Sequence, residues 1–138
     1  MSEDRHQREA EFHDHLYSHD REARAAAAKY YSVIERCRDD YLTRIADDVG
    51  GKQVLEYGCG PGGHAAMLAT AGAQVTAIDI SPEAIRQARK RLNRSIKLVA
   101  MNAEAMTFGD SSFDLVCGTG ILHHLDLAKA FGEVRRVL

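Results

Sequence analysis

Apolar residues recur along this chain with two different periods, and the change of period divides it. From Arg21 to about Val49 the spacing is helical. Alanines 25 to 28 favour a helix, and Ile34, Cys37, Tyr41, Leu42, Ile45 and Val49 recur on one face. Gly50 and Gly51 end that stretch. The twenty residues before it are polar and rich in histidine, and read as frayed or only loosely helical.

After Gly51 the pattern shortens into apolar runs separated by helical stretches. "QVLEY" (53–57), "QVTAID" (74–79), "IKLVA" (96–100) and "FDLVCG" (113–118) read as strands. Between them, "GHAAMLATA" reads as a helix that stops at Gly72. A second helix starts with Ser81 as its cap, Pro82 at its first position and Glu83 in its first turn. Its inner stripe is Ala84, Ile85, Ala88 and Leu92. A last helix begins near Asp126, with Leu127, Phe131, Val134 and Leu138 on one face. Strands alternating with helices predict an α/β fold with a doubly wound parallel sheet of about four strands. The expected organisation is an N-terminal helical segment over 1–49 and a core over 50–138.

The chain stops at "EVRRVL", in or at the end of a helix, with four strands delivered. The fourth strand is apolar on both faces, as a central parallel strand is, so the sequence reads as cut short. Its uncovered edge offers a surface for self-association.

Composition narrows the function classes. The 138 residues suit one domain, and 45% hydrophobic with 28% charged residues is ordinary for a globular chain. A net charge of −2 gives no reason to expect nucleic acid. No run approaches the roughly 18 apolar residues of a membrane span, so no membrane association is expected. Cys37, Cys59 and Cys117 form no C-x-x-C pair, which argues against a disulfide framework or a zinc site and for a reducing cytoplasm.

"LEYGCGPGGH" (55–64) carries two glycine patterns. Gly58, Gly60 and Gly63 spell G-x-G-x-x-G, the dinucleotide fingerprint. Gly58, Gly60 and Gly62, with Glu56 upstream, spell E-x-G-x-G-x-G. A carboxylate beside a pyrophosphate repels it, whereas it attracts an ammonium or sulfonium. Asp79 ends the second strand 21 positions after Gly58, where an acidic residue accepts ribose hydroxyls. Asn102 and the backbone of Ala103 follow the third strand and could read an adenine edge. The fourth strand ends in "CGTGILHHL", where Gly118 and Gly120 leave room for a ligand.

Together "VLEYGCGPGGHA", "VTAIDIS", "MNAEAMTFGDSSFDLV" and "GILHHL" resemble class I S-adenosylmethionine-dependent methyltransferases, in particular the small-molecule enzymes with a bare Rossmann-like core. The resemblance covers about residues 50–138. It implies S-adenosylmethionine as cofactor and a small-molecule methyl acceptor. It sets Glu56, Gly58, Cys59 and Gly60 along the methionine part, Asp79 on the ribose and Ile80 against the adenine. Asn102, Ala103 and Glu104 then surround the adenine edge, and Gly118 lies near the amino-acid moiety. Asn102 departs from the aspartate common in the family, but its amide oxygen can still accept from adenine N6. The resemblance also implies further strands after "EVRRVL" that carry substrate contacts.

Methyl transfer requires alignment more than acid–base chemistry. His123 or His124 is the only candidate for a base near the strand ends, His123 being taken first, although one packing in the loop and the other solvated fits the pair better. His13, His15 and His19 with Asp14 and Asp20 read as a solvated polar segment, and no metal is expected. The basic run Arg86, Arg89, Lys90, Arg91 and Arg94 reads as an outer helix face. Tyr30 or Tyr31 could reach the cofactor from an N-terminal lid. Two other readings stay open: a non-catalytic cofactor-binding module, and an NAD-dependent oxidoreductase allowed by G-x-G-x-x-G alone.

Overall fold

The computed structural model describes residues 2–19 and 35–138. Strands β1 (Gln53–Tyr57), β2 (Gln74–Asp79), β3 (Lys97–Ala100) and β4 (Leu115–Cys117) form one parallel sheet in the order β3-β2-β1-β4. The helices are α1 (Ser2–His19), α2 (Glu35–Ala46), α3 (Gly63–Thr70), α4 (Pro82–Arg91) and α5 (Leu127–Val137), with a 3₁₀ turn at Leu122–His124. The predicted bounds of β1 and β2 match, and β3 and β4 are shorter than their apolar runs.

Residue alternation explains the two cores. Val54, Val75, Ala77 and Cys117 point to the face covered by α3 and α4, where Ala65, Leu68 and Ile85 meet them. Leu55, Tyr57 and Ile78 point to the other face, against Met106, Phe113 and Val137. Glu56 shares the face of Val54 and is therefore carried into the interior beneath α3.

Helix α4 starts as predicted. Ser81 Oγ accepts from the Ala84 N–H at 3.0 Å, Pro82 opens the helix, and Ala84, Ile85 and Ala88 are buried. The basic residues of α4 lie on its exposed side. In α5 the predicted stripe is only partly inward. Ala130 and Val137 are buried, whereas Leu127, Phe131 and Leu138 are about half exposed.

The N-terminal stretch departs furthest from expectation. Instead of fraying, Ser2–His19 forms an 18-residue helix. Periodicity misses it because few apolar contacts hold it. Asp14 Oδ1 accepts from the Ser81 hydroxyl and, at 3.1 Å, from the Glu83 N–H, which docks α1 on the first turn of α4. Arg5 and His6 bind Glu104 across the chain. Of the predicted helix over 21–49, the described part appears as α2 but ends at Ala46, short of Val49; its earlier portion, with Tyr30 and Tyr31, lies outside the described residues.

Candidate functional site

The strand order reverses between β1 and β4, and in open parallel sheets ligands bind beyond the carboxyl ends of the strands at that switch. The cleft found there encloses about 710 Å³ of empty space, part of it open to solvent. Its walls include Gly58, Asp79, Ile80, Asn102 and Ala103 of the predicted set, with Thr119, Ile121 and His124 from the segment after β4 and Glu9 and His13 from α1.

The glycine loop is tied down by its own backbone. The N–H groups of Gly58 and Cys59 both donate to the Ile78 carbonyl, at 2.8 and 3.0 Å, and that of Gly62 donates to Cys59 O at 3.0 Å. Gly60 N–H donates to Asp79 Oδ2 at 2.8 Å, and Ser81 N–H to Asp79 Oδ1 at 2.9 Å. The Asp79 carboxylate is therefore a brace for the loop as well as a wall of the cleft. Gly58, Gly60 and Gly62 all have positive φ, at 72, 51 and 86°. Gly63 does not, and a Cβ there would meet nothing within 4 Å. Of the two overlapping patterns, the backbone uses the one at 58, 60 and 62.

Glu56 is 2% exposed, and its Oε2 is the one buried side-chain polar atom without a hydrogen-bond partner among the described residues. Its Oε1 lies 3.4 Å from His64 Nδ1, which is 3.3 Å from Thr119 Oγ1. Tyr41 reaches over from α2, its hydroxyl 3.4 Å from both the N–H and the carbonyl oxygen of Gly118. Burial raises the Tyr41 pKa, with the hydrogen bond to Gly118 opposing it. Gly118 is also pressed by Tyr57, whose carbonyl would stand 2.7 Å from an added Cβ. Cys59 and Cys117 are buried on this side. Burial, with negative charge nearby, pushes both thiols up, that of Cys117 to about 12, so neither is a thiolate nucleophile.

At the other end, Asn102 Oδ1 accepts from the Glu104 N–H at 2.9 Å and its Nδ2 lies 3.2 Å from His6 Nδ1. The Glu104 carboxylate faces α1 rather than the cleft. It accepts from Arg5 Nη2 at 2.6 and 2.7 Å and from the Asp126 N–H at 2.7 Å, and lies 2.9 Å from His6 Nε2. Burial alone would raise its pKa. The bonds from Asp126, Arg5 and His6 outweigh burial and hold it at about 2.

The predicted residues thus divide. Gly58, Asp79, Ile80, Asn102 and Ala103 line the cleft, whereas Glu56, Cys59, Gly60, Glu104 and Gly118 are not among its lining residues. His123 is exposed and outside the walls; His124 is among them. Sequence reasoning missed Tyr41, His64 and Thr119. His64 immediately follows the last glycine of the loop, a position on the helix N-terminus that could have signalled it. Tyr41 gives no such signal, since its contact spans 77 residues.

The methyltransferase-domain family matches residues 55–138, and the chain belongs to that family. S-adenosylmethionine is the cofactor this membership implies. Over 102 residues the chain is 38% identical to the phthiotriol/phenolphthiotriol dimycocerosates methyltransferase of Mycobacterium tuberculosis, covering 71% of this chain and 38% of that one. It is 34% identical over 116 residues to the malonyl-[acyl-carrier protein] O-methyltransferase of Erwinia billingiae, covering 81% and 45%. A solved S-adenosylmethionine-dependent methyltransferase from Mesorhizobium loti shares the fold, with a TM-score of 0.64 at 24% identity over 72% of this chain and 47% of that one. The chain therefore spans less than half the length of these relatives.

Proposed function

We propose that this chain binds S-adenosylmethionine in the cleft and forms the cofactor-binding part of an enzyme that methylates a small molecule. The observation that carries the reading is the buried carboxylate of Glu56 with Oε2 unsatisfied. A buried, unpartnered carboxylate oxygen is costly, and an ammonium group is the partner it suits. The loop supports the same choice. The N–H groups of Gly58, Cys59, Gly60 and Gly62 are already donated within the protein, so they do not form a free cradle for a pyrophosphate. That weighs against NAD.

In this reading Asp79 uses its remaining lone pairs for ribose hydroxyls, Ile80 packs on the adenine, and Asn102 and Ala103 border the adenine edge. Glu56, with His64 and Thr119 beside it, takes the amino-acid end, near Gly118. Glu104 serves by fixing α1, and residues 1–49 act as a cap on the core of 50–138. The bound cofactor supplies an activated methyl group, and the protein's task is to hold it aligned with the acceptor and away from water. His123 has no place in this chemistry, because it stands outside the cleft.

The relatives are named for phthiotriol/phenolphthiotriol dimycocerosates and for a malonyl-[acyl-carrier protein], which supports a small or carrier-bound acceptor rather than nucleic acid. Among the described residues no helix is long and apolar enough to cross a membrane. Three free cysteines suit a reducing cytoplasm, and β4, at the sheet edge, offers a site for self-association. Calorimetric titration with S-adenosylhomocysteine and with NAD tests the proposal. Binding of the first alone is expected; binding of NAD alone would refute it.

A further inference from the structure

Helix α1 carries Arg5, Glu9 and His13 four residues apart, so the three share one face. Arg5 anchors that face at one end. Its Nη2 holds Glu104, and its Nη1 donates to the His124 carbonyl at 3.0 Å. The anchor brings Glu9 and His13 against the turn after β4. His124 Nδ1 lies 3.2 Å from Glu9 Oε2, and His13 Nε2 lies 3.7 Å from the same oxygen. The two imidazoles meet edge to face with centroids 4.9 Å apart. One ligand atom from each of the three residues lies within 4.8 Å of the other two, and all three residues border the cleft.

From this arrangement we infer that Glu9, His13 and His124 form a binding site for a divalent transition-metal ion of the zinc type. Ligands about 2.0–2.2 Å from a tetrahedral zinc stand about 3.3 Å apart. The two distances from Glu9 Oε2 bracket that spacing, so small side-chain adjustments complete the set. The ligand chemistry also suits the ion. Two imidazoles and one carboxylate are a zinc set that leaves a fourth position for water or another oxygen. The i, i+4 pair on a helix fixes two ligands with little loss of freedom. Arg5 holds the backbone of the third, His124, through its carbonyl and so keeps that residue beside α1. A bound ion would staple α1 to the turn after β4 at the mouth of the cleft. This inference is independent of the methyl-donor reading, since none of the three ligands is assigned to the cofactor.

The test is a calorimetric titration of the metal-free 138-residue chain with Zn²⁺, together with Co²⁺ absorption spectra. One ion per chain is expected. Glu9→Gln, His13→Ala and His124→Ala should each weaken binding about tenfold or more, whereas His15→Ala and His123→Ala should leave it unchanged. Circular dichroism shows whether each variant keeps α1. Should a substitution release the helix, the unaltered chain still decides. Its Co²⁺ form should show the intense visible band of a four- or five-coordinate ion and paramagnetically shifted signals from two imidazoles. No ion bound, a six-coordinate spectrum, or binding that persists in all three ligand variants would overturn the assignment.

Discussion

The cleft has two ends, each with a buried glutamate behind it, and the two carboxylates are treated in opposite ways. Glu104 is fully engaged: Arg5, His6 and the Asp126 N–H all bind it. Glu56 is buried to the same degree, yet its Oε2 has no partner. A carboxylate whose partners are all intramolecular is a fastening. A carboxylate left unsatisfied in the interior weakens the fold, and its retention makes sense where a ligand completes it. The Glu104 end is thus braced by contacts within the chain, and the Glu56 end is left for a ligand to finish.

Substitutions can separate the two roles. The largest effect is expected at Asp79, which braces the loop joining both ends. Asp79→Ala leaves the Gly60 and Ser81 N–H groups buried and unpaired, at about 1–3 kcal/mol each. Chemical denaturation should show a loss of several kcal/mol, with cofactor binding lost as well. If stability held, the bracing role would be wrong.

Glu104→Gln comes next. Removing one member of a buried ion pair costs about 3–5 kcal/mol, but Arg5 is partly exposed and solvent screens it, so about 1–2 kcal/mol is expected. Hydrogen exchange should quicken along α1 and not in the sheet. The same carboxyl predicts an acid limb. Its folded pKa is depressed, to about 2 from an ordinary 4.5, so its contribution is complete above the ordinary value and is lost as pH falls towards 2. The Glu104→Gln variant should lack that part of the pH dependence between about 5 and 2. An unchanged limb would remove Glu104 from the account.

The smallest effect is expected at Gly63. Its Cβ position is open and its backbone ordinary, so Gly63→Ala should shift stability by less than about 1 kcal/mol and leave cofactor affinity alone. Gly62→Ala, with φ of 86° and Leu92 Cδ1 2.4 Å from the new Cβ, should be clearly destabilising. If Gly63 proved the more sensitive, the dinucleotide pattern would regain its claim.

The two ends also differ in how far the sequence reveals them. β1, β2 and the cap of α4 are written in local patterns: apolar runs, glycines at fixed spacing, a Ser-Pro-Glu start. Glu56 and Asp79 were legible because position on a strand fixes them. The partners that distinguish Glu104 were not, because Arg5 reaches it across 99 residues from a helix with no apolar stripe. Tyr41 at Gly118 and the placing of His124, not His123, in the cleft wall are hidden for the same reason. Long-range polar contacts leave no period in the chain.

In the proposed function, Glu56 is kept for a ligand and not for the fold. That role is tested most directly by measuring S-adenosylhomocysteine affinity and thermal stability together in Glu56→Gln. The expected result is affinity reduced about ten- to a hundredfold, worth about 1.4–2.8 kcal/mol, with a melting temperature equal to or above that of the unaltered chain. Unchanged affinity with a lowered melting temperature would contradict it.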